Sequence, residues 1–385
     1  MQQPAIGRRN VFRSERYAAI SLLLAAAFGL VLAQTVAGPG LIDLLHTEVG
    51  IPALHLDMSV SHWITDALLA LFFFIVAVEL RYELAKGELN SVAHALAPGV
   101  AALGGVLVPV VIYLGIAGGD FARGWPIPTA TDIAFALGLI ALVGKGLPPR
   151  IRAFLLALAV LDDLIAIIII AFFFTAAIDV GALIVAAACV VALCVVSNAK
   201  RMWPWLKFPL IVALALLTWY CTYLGGVHPT IAAVAVGLFL RPRYARRAAH
   251  ALQPATNAII LPLFAFASAL IVIPDVGQTP LSPAFWGIAI ALPVGKILGV
   301  FLAGSLIALA TRKTRATAVT GWDLLTVSAV AGIGFTVSLL MNELAFANAA
   351  EVRDQGVLAV LVGSAAAIIV GGSLVVWRAR VARRR

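Results

Sequence analysis

The chain has 385 residues, of which 63% are hydrophobic and only 12% carry a charge. This composition lies outside the range of soluble globular proteins and excludes the soluble enzyme classes. The formal net charge of +9 is interpreted as a signal of membrane topology and not of nucleic-acid binding, because nearly all basic residues lie in the loops and chain ends on one side of the predicted spans.

Apolar segments of about 20 residues, the length that crosses a bilayer, recur along the chain. We predict a single all-α polytopic membrane domain over residues 1–385 with about twelve transmembrane helices. The predicted spans cover residues 16–37, 60–82, 92–116, 124–143, 150–175, 180–199, 206–223, 225–240, 248–273, 284–310, 321–342 and 356–377. The first span follows four arginines but is longer than the apolar part of a signal peptide, so it is predicted to remain as a helix.

The connection between the first two spans, residues 38–59, is expected on the outer side of the membrane. It contains EVGIPALHLDMS, where apolar and polar residues alternate as in a strand. The pattern predicts a short β-hairpin with Gly50 at its turn, and an irregular loop fits about equally well.

The basic residues divide unevenly between the two sides of this layout. The N-terminal arm, the loops after even-numbered spans and the C-terminal tail hold 24 of the 27 lysines and arginines. The other side holds only Arg123 and Arg353, and Lys296 lies within a span. By the positive-inside rule, both termini are predicted to be cytoplasmic, which requires an even number of spans.

Spans 4 and 11 each contain residues that interrupt a helix. Span 4 contains PIPTATDIAFALG, in which Pro126 and Pro128 remove helical donors, and span 11 contains AVAGIGFTVSLL with Gly332 and Gly334. The two spans enter the membrane from opposite sides, each as the middle helix of a group of three. Spans 3–5 and 10–12 are therefore predicted to form an inverted repeat with an ion site where the interrupted helices meet.

Six ionisable residues lie within predicted spans, where a charge costs several kcal/mol and is usually functional. Asp132 and Lys296 have the right signs to compensate opposite half-helix ends. Glu79 is equally well explained as part of an ion-paired helix end with Arg81 and Glu83. The six residues are Asp66, Glu79, Asp132, Asp162, Asp163 and Lys296.

Asp162 and Asp163 are adjacent within the apolar run LAVLDDLIAIIII. Burial and like-charge repulsion both favour the neutral form of a carboxyl group, so such a pair can exchange protons near neutral pH. When ionised, the same oxygens are hard ligands for a small cation. Competition between a proton and a cation for one site amounts to an antiport mechanism if the site opens to one side at a time.

Several motifs resemble those of the bacterial NhaA-type sodium/proton antiporters, and the resemblance covers essentially the whole chain. The aspartate run and TATDIAFALG are the most specific of them. The others are ALPVGKILG, GIGFTVSLL, GGVHPTIAAVAVGLFL, WITDALLALFFFIVAVELRYEL and LPLFAFASA.

The resemblance implies twelve helices with interrupted spans 4 and 11 crossing at the midplane. It implies that Asp162 and Asp163 carry the ion and the proton, with Asp163 as the more direct ligand. Thr131 and Asp132 would lie beside the crossing, Thr131 would be a further ligand of the transient sodium ion, and Lys296 would pair with Asp162 when sodium is absent.

The resemblance also implies electrogenic exchange of external protons for cytoplasmic Na⁺ or Li⁺ across the bacterial inner membrane. It implies a homodimer bridged by the outer hairpin, and it implies no cofactor.

Two departures from the family pattern concern the response to pH. Members commonly carry an acidic residue before the histidine that follows span 8, where this chain has Ala249 before His250. A basic pair in span 2 is reduced to Arg81 followed by Tyr82. The pH set-point is therefore expected to be shifted. Residues predicted to act in a pH response or a cytoplasmic funnel are Glu79, Arg81, Glu83 and His250.

Three alternatives remain on the residues alone. An intramembrane aspartyl hydrolase also uses paired aspartates, but the Gly-x-Gly-Asp motif of such enzymes does not occur in the chain. A cation channel would need a filter loop, and none is evident. A proton-coupled carrier of another cation or of a small solute is the third, although few polar or aromatic residues surround the acids.

Overall fold

The computed structural model describes residues 15–87, 89, 91–174, 178–199, 202–273, 280–310 and 320–383. Four segments that carry predicted cytoplasmic basic residues lie outside the described residues: the N-terminal arm before residue 15, residues 200–201, the loop 311–319 and residues 384–385. Within the described residues, fourteen helices, α1 to α14, and one two-stranded hairpin account for most of the chain. The helices in chain order are Glu15–Ala33, Gly38–His46, Val60–Lys86, Val92–Ala117, Ile133–Val143, Pro149–Phe173, Val180–Asn198, Pro204–Leu224, Thr230–Phe239, Pro242–Ser268, Pro283–Ala310, Gly321–Ala331, Phe335–Ala345 and Ala350–Arg383.

Within the described residues, nine helices are long and apolar enough to cross a membrane. Two further spans are bent: the 3₁₀ turns of residues 119–129 meet α5 at 48°, and α12 meets α13 at 47°. The structure therefore supports nine to eleven crossing helices. The predicted twelfth depends on α9, whose ten residues reach only about 15 Å, half of the hydrocarbon thickness.

The helices extend beyond the predicted spans wherever a polar end continues an apolar helix. Helix α10 begins at Pro242, six residues before the predicted start, because its arginine-rich first turns still bury Ala245 and Ala249. Helix α14 runs 34 residues and carries charged turns at both ends. Hydropathy locates the apolar parts of such helices and misses their amphipathic ends.

Strands Glu48–Ile51 (β1) and Leu56–Ser59 (β2) form an antiparallel hairpin. The prediction that Gly50 makes the turn is wrong: Gly50 pairs with Asp57, and the turn is made by residues 52–55, with His55 in the left-handed region. A Cβ at Gly50 would overlap the Leu56 carbonyl, so the glycine serves a close strand contact. The indole of Trp63 donates to the Val49 carbonyl at 2.7 Å and ties the hairpin to α3.

Helices α4 and α11 approach closely through a pair of glycines. A Cβ at Gly299 would overlap the carbonyl of Gly104, and a Cβ at Gly104 would overlap the carbonyl of Gly299. Small residues allow such an approach between membrane helices, where dispersion contacts take the place of the hydrophobic effect. One helical turn before Gly299, the same contact brings Lys296 of α11 against Gly105 of α4.

Basic side chains donate hydrogen bonds to carbonyls at the carboxyl ends of two helices, α5 and α9. Arg16 donates to the carbonyl of Ala141 in the last turn of α5, and Arg383 donates to the carbonyl of Lys145 just beyond it. The same arrangement closes α9, where Arg81 donates to the Leu240 carbonyl at 2.6 Å. A cation at a helix carboxyl end is favoured by the unpaired carbonyls and the helix dipole. We call the end of the bundle where α1 begins and α5 ends the basic end.

Candidate ion site

Asp132 lies in the break between the 3₁₀ turns and α5, and its carboxylate caps two helices. Its Oδ1 accepts a hydrogen bond from the Phe135 amide at 2.8 Å, at the start of α5. Its Oδ2 accepts from the Thr336 amide at 3.2 Å and the Thr336 hydroxyl at 2.6 Å, at the start of α13. One buried carboxylate therefore satisfies donors at the amino ends of α5 and α13, the second halves of the two interrupted spans, where a negative charge is favoured.

Residues in the break of the first interrupted span also donate hydrogen bonds to carbonyls at the end of α12. The Thr131 hydroxyl donates to the Ala331 carbonyl at 2.8 Å, and the Asp132 amide donates to the Ile333 carbonyl at 2.7 Å. All of these groups are buried. The two breaks are thus in direct contact, and each supplies the hydrogen bonds that the other lacks.

Lys296 and Asp162 form a fully buried ion pair beside the breaks. The lysine ammonium donates to Oδ2 of Asp162, with the lysine side chain 0% and the aspartate side chain 1% exposed. Lys296 directly follows a π-helical turn, Ala291–Gly295, within α11. Such a turn inserts a residue into the helix and re-aims the side chains after it, which is why it recurs at functional sites.

One oxygen of the ion pair is left without a donor. Oδ1 of Asp162 is buried and accepts no hydrogen bond from the described residues. Thr131 is a polar neighbour of the Asp162 carboxyl group, but its single hydroxyl proton is donated to the Ala331 carbonyl. An unsatisfied buried oxygen of this kind costs free energy that a bound proton or cation would recover.

Asp163 is 4% exposed and lies among other charges. Asp162, Asp132 and Glu79 act on it as like charges, and Lys296 acts as the opposing one. No donor of the described residues bonds its carboxyl group. Three acids and one ammonium around a buried carboxylate leave a local excess of negative charge, which attracts either a proton or a metal cation.

The residues predicted to respond to pH lie on two helices, α3 and α10. Glu79 is exposed on α3 and acts on Asp163 as a like charge. Arg81 instead caps α9, and Glu83 packs against Gly87 at the end of α3. His250 lies on the exposed face of α10.

Sequence reasoning missed the partners that hold these residues in place. Thr336 and the Ala331 carbonyl belong to the breaks but carry no charge that would single them out. The signal was present in GIGFT, where a hydroxyl follows directly on the glycine break.

The site offers carboxylate, hydroxyl and carbonyl oxygens, which are ligands for a small hard cation. Within the residues that the structure describes, no three His, Cys, Asp or Glu side chains converge as a metal-binding group.

Comparisons with known proteins agree with one another. Residues 9–375 match the family model described as Na+/H+ antiporter 1. The chain is 54% identical over 381 residues to "Na(+)/H(+) antiporter NhaA 2" of Clavibacter michiganensis subsp. michiganensis, covering 97% of this chain and 93% of that protein. It is 43% identical over 359 residues to an NhaA antiporter of Tropheryma whipplei, covering 92% of each.

A solved structure shares the fold. The sodium proton antiporter MjNhaP1 of Methanocaldococcus jannaschii superposes with a TM-score of 0.54, covering 95% of this chain and 98% of that one. The two sequences are only 17% identical, so the likeness concerns the architecture alone.

Proposed function

Since the chain belongs to the Na+/H+ antiporter 1 family and is an NhaA-type sodium/proton antiporter, we propose that its two ions compete for the buried pair Asp162 and Asp163. The membership also means that the chain is a transporter and not an aspartyl hydrolase. The observation that carries the proposal is the unsatisfied Oδ1 of Asp162 beside the buried carboxyl group of Asp163.

In the proposed cycle, the site always carries compensating positive charge. Without sodium, Lys296 neutralises Asp162 and a proton neutralises Asp163, so little net charge is buried. An arriving Na⁺ or Li⁺ displaces that proton and takes oxygen ligands from Asp163, Asp162 and Thr131. Because the cation takes Asp162 from Lys296, the buried lysine loses its partner and gives up a second proton. Asp132 and Thr336 stay in place throughout, since their bonds hold the two breaks together.

The exchange is proposed to be electrogenic, with more protons entering than sodium ions leaving. Each surplus charge is worth about 2.3 kcal/mol per 100 mV, and a tenfold gradient is worth about 1.4 kcal/mol. One surplus proton at that potential sustains roughly a forty-fold sodium gradient. A transporter of this kind serves sodium and pH homeostasis.

The setting in the cell is part of the proposal. The basic end is taken as the cytoplasmic side of the bacterial inner membrane, with both chain termini there. The hairpin β1–β2 then lies outside, where it is proposed to bridge a homodimer. Glu79, which is exposed and acts on Asp163, is proposed to lie at the mouth of a cytoplasmic path to the pair.

The direct test is sodium-induced proton movement in proteoliposomes. We expect Na⁺ or Li⁺ to release protons from acid-loaded vesicles that contain the wild-type protein, and K⁺ to release few. Asp163→Asn should abolish the signal while the protein still folds, because the change removes a buried charge at nearly constant volume. Asp43→Asn is the matched control, since Asp43 is an exposed aspartate on α2 and the change should keep full activity.

Two results would contradict the proposal. Full sodium/proton coupling in Asp163→Asn would mean that the pair is not the shared site. A wild-type signal with K⁺ or an organic cation, but none with Na⁺ or Li⁺, would instead favour the carrier of another solute.

A further inference from the structure

Asp323 carries a buried carboxylate at the start of α12, outside the ion site, and two arginines hold it. Its Oδ2 accepts from Nε of Arg150 at 2.9 Å, and Nη2 of the same arginine lies 2.8 Å away. Its Oδ1 accepts from Nε of Arg378 at 2.6 Å. The Asp323 side chain is 0% exposed, so these partners replace the water that an ionised carboxylate needs.

The three residues join three helices, and two of these helices lead to the ion site. Arg150 lies in the first turn of α6, which carries Asp163 about 20 Å further along its axis. Asp323 lies in the first turn of α12, and Ala331 ends that helix about 12 Å away. Arg378 lies near the end of α14, which packs along α12.

An aromatic contact strengthens the same junction. Trp322, next to Asp323, and Trp377, next to Arg378, have ring centroids 4.9 Å apart at an interplanar angle of 62°. Edge-to-face pairs of this kind are favourable beyond the apolar area that they bury. An ion pair and a ring pair therefore fix α12 to α14 side by side.

We propose that Asp323 is a positioning residue of the transport site. Through Arg150 on α6 and Arg378 on α14, it fixes the position of α12 along its axis relative to these two helices. The inference rests on the proposed function of Asp163. Because helices are stiff, a slip of α12 against α6 at the basic end moves the Thr131–Ala331 contact past the aspartate pair by the same distance. Sites tolerate such slips poorly, since a misplacement of about 1 Å can cost roughly a hundredfold.

A purely local role for Asp323 is separable from the proposed one. The Thr320 amide donates to Oδ2 of Asp323 at 3.2 Å and the Asp323 amide donates to the Thr320 hydroxyl at 3.3 Å, which is a capping box. This box stabilises the first turn of α12 but joins no other helix. Thr320→Ala weakens the box and leaves both arginines in place, so it is the matched control.

The test measures the half-saturating sodium concentration and the maximal exchange rate in proteoliposomes. We expect Asp323→Asn to raise the half-saturating concentration by about tenfold, with a smaller change in maximal rate. Asp323→Glu should recover most of the wild-type value, because glutamate keeps the charge and suits the capping box. Thr320→Ala should lower Tm and leave the half-saturating concentration unchanged.

Two results would overturn the positioning role. One is an unchanged half-saturating concentration in Asp323→Asn, and the other is an equal rise in Thr320→Ala.

A covalent link gives a second test in case Asp323→Asn fails to fold. The three native cysteines, Cys189, Cys194 and Cys221, are first replaced by alanine. Arg150→Cys and Asp323→Cys are then combined and joined by a short bismaleimide. We expect weak sodium dependence before linking and the wild-type half-saturating concentration after it.

A linked protein that stays at the weak value would defeat the inference. The cysteine-free parent, measured in the same vesicles, separates this failure from failure of the proposed function, because an inactive parent would defeat antiport itself.

Discussion

At the scale of single residues, Lys296 and Asp162 form an ion pair, and the stability of the fold depends on both charges being present or both being absent. Each is buried, so removing one leaves the other charge without water or partner. We expect Lys296→Met to lower the free energy of unfolding by about 3–5 kcal/mol. The loss should appear as a lower Tm in detergent at pH 8, and it should shrink on acidification, because protonation of Asp162 removes the unpaired charge.

The double variant Asp162→Asn/Lys296→Met completes a thermodynamic cycle. With both charges gone, stability should return close to the wild-type value while transport does not. A double variant as unstable as Lys296→Met would mean that the lysine stabilises the fold through packing alone.

At the scale of elements, the contact of α4 with α11 places the buried lysine. Gly299→Ala should force the two helices apart, because the new Cβ would overlap the carbonyl of Gly104. Overpacking of this kind costs about 1–3 kcal/mol. We expect a lower Tm and reduced exchange, since Lys296 lies one turn away.

Gly115→Ala on α4 is the control for that change. A Cβ at Gly115 would meet nothing within 4 Å, and alanine is the better helix former. If Gly115→Ala destabilised the protein as much as Gly299→Ala, the loss would reflect helix glycines in general and not this contact.

The sequence predicted elements and charges better than it predicted partners. Prolines and glycines mark both breaks, because they remove donors or helix propensity wherever they occur. The double cap of Asp132 could not be foreseen, since Thr336 is 204 residues away and nothing local pairs the two. The start of α10 was also missed. Its arginines lower the mean hydropathy of the first turns, although Ala245 and Ala249 on the opposite face are buried.

At the scale of the whole molecule, the charge distribution predicts how the bundle lies in the membrane. We expect a single cysteine at Asn348, between α13 and α14, to react with an impermeant maleimide on intact cells. A cysteine at Arg246, on the exposed face of α10, should react only after the membrane is opened. Both are placed in the cysteine-free background.

Labelling of both positions from outside would contradict the predicted orientation. Labelling of position 246 alone would mean that the basic residues face outward and that the bundle is inverted.

The direction of one O–H bond has a consequence for which ions the site admits. Thr131 donates its only hydroxyl proton to the Ala331 carbonyl, so its oxygen has only lone pairs to offer a group that lies near Asp162. In the proposed cycle, an alkali ion arriving there would find the hydroxyl oxygen as a further ligand, whereas a halide or a phosphate would find no free O–H donor on Thr131. The orientation of this one hydroxyl therefore favours a cation over an anion as the ligand of the proposed site.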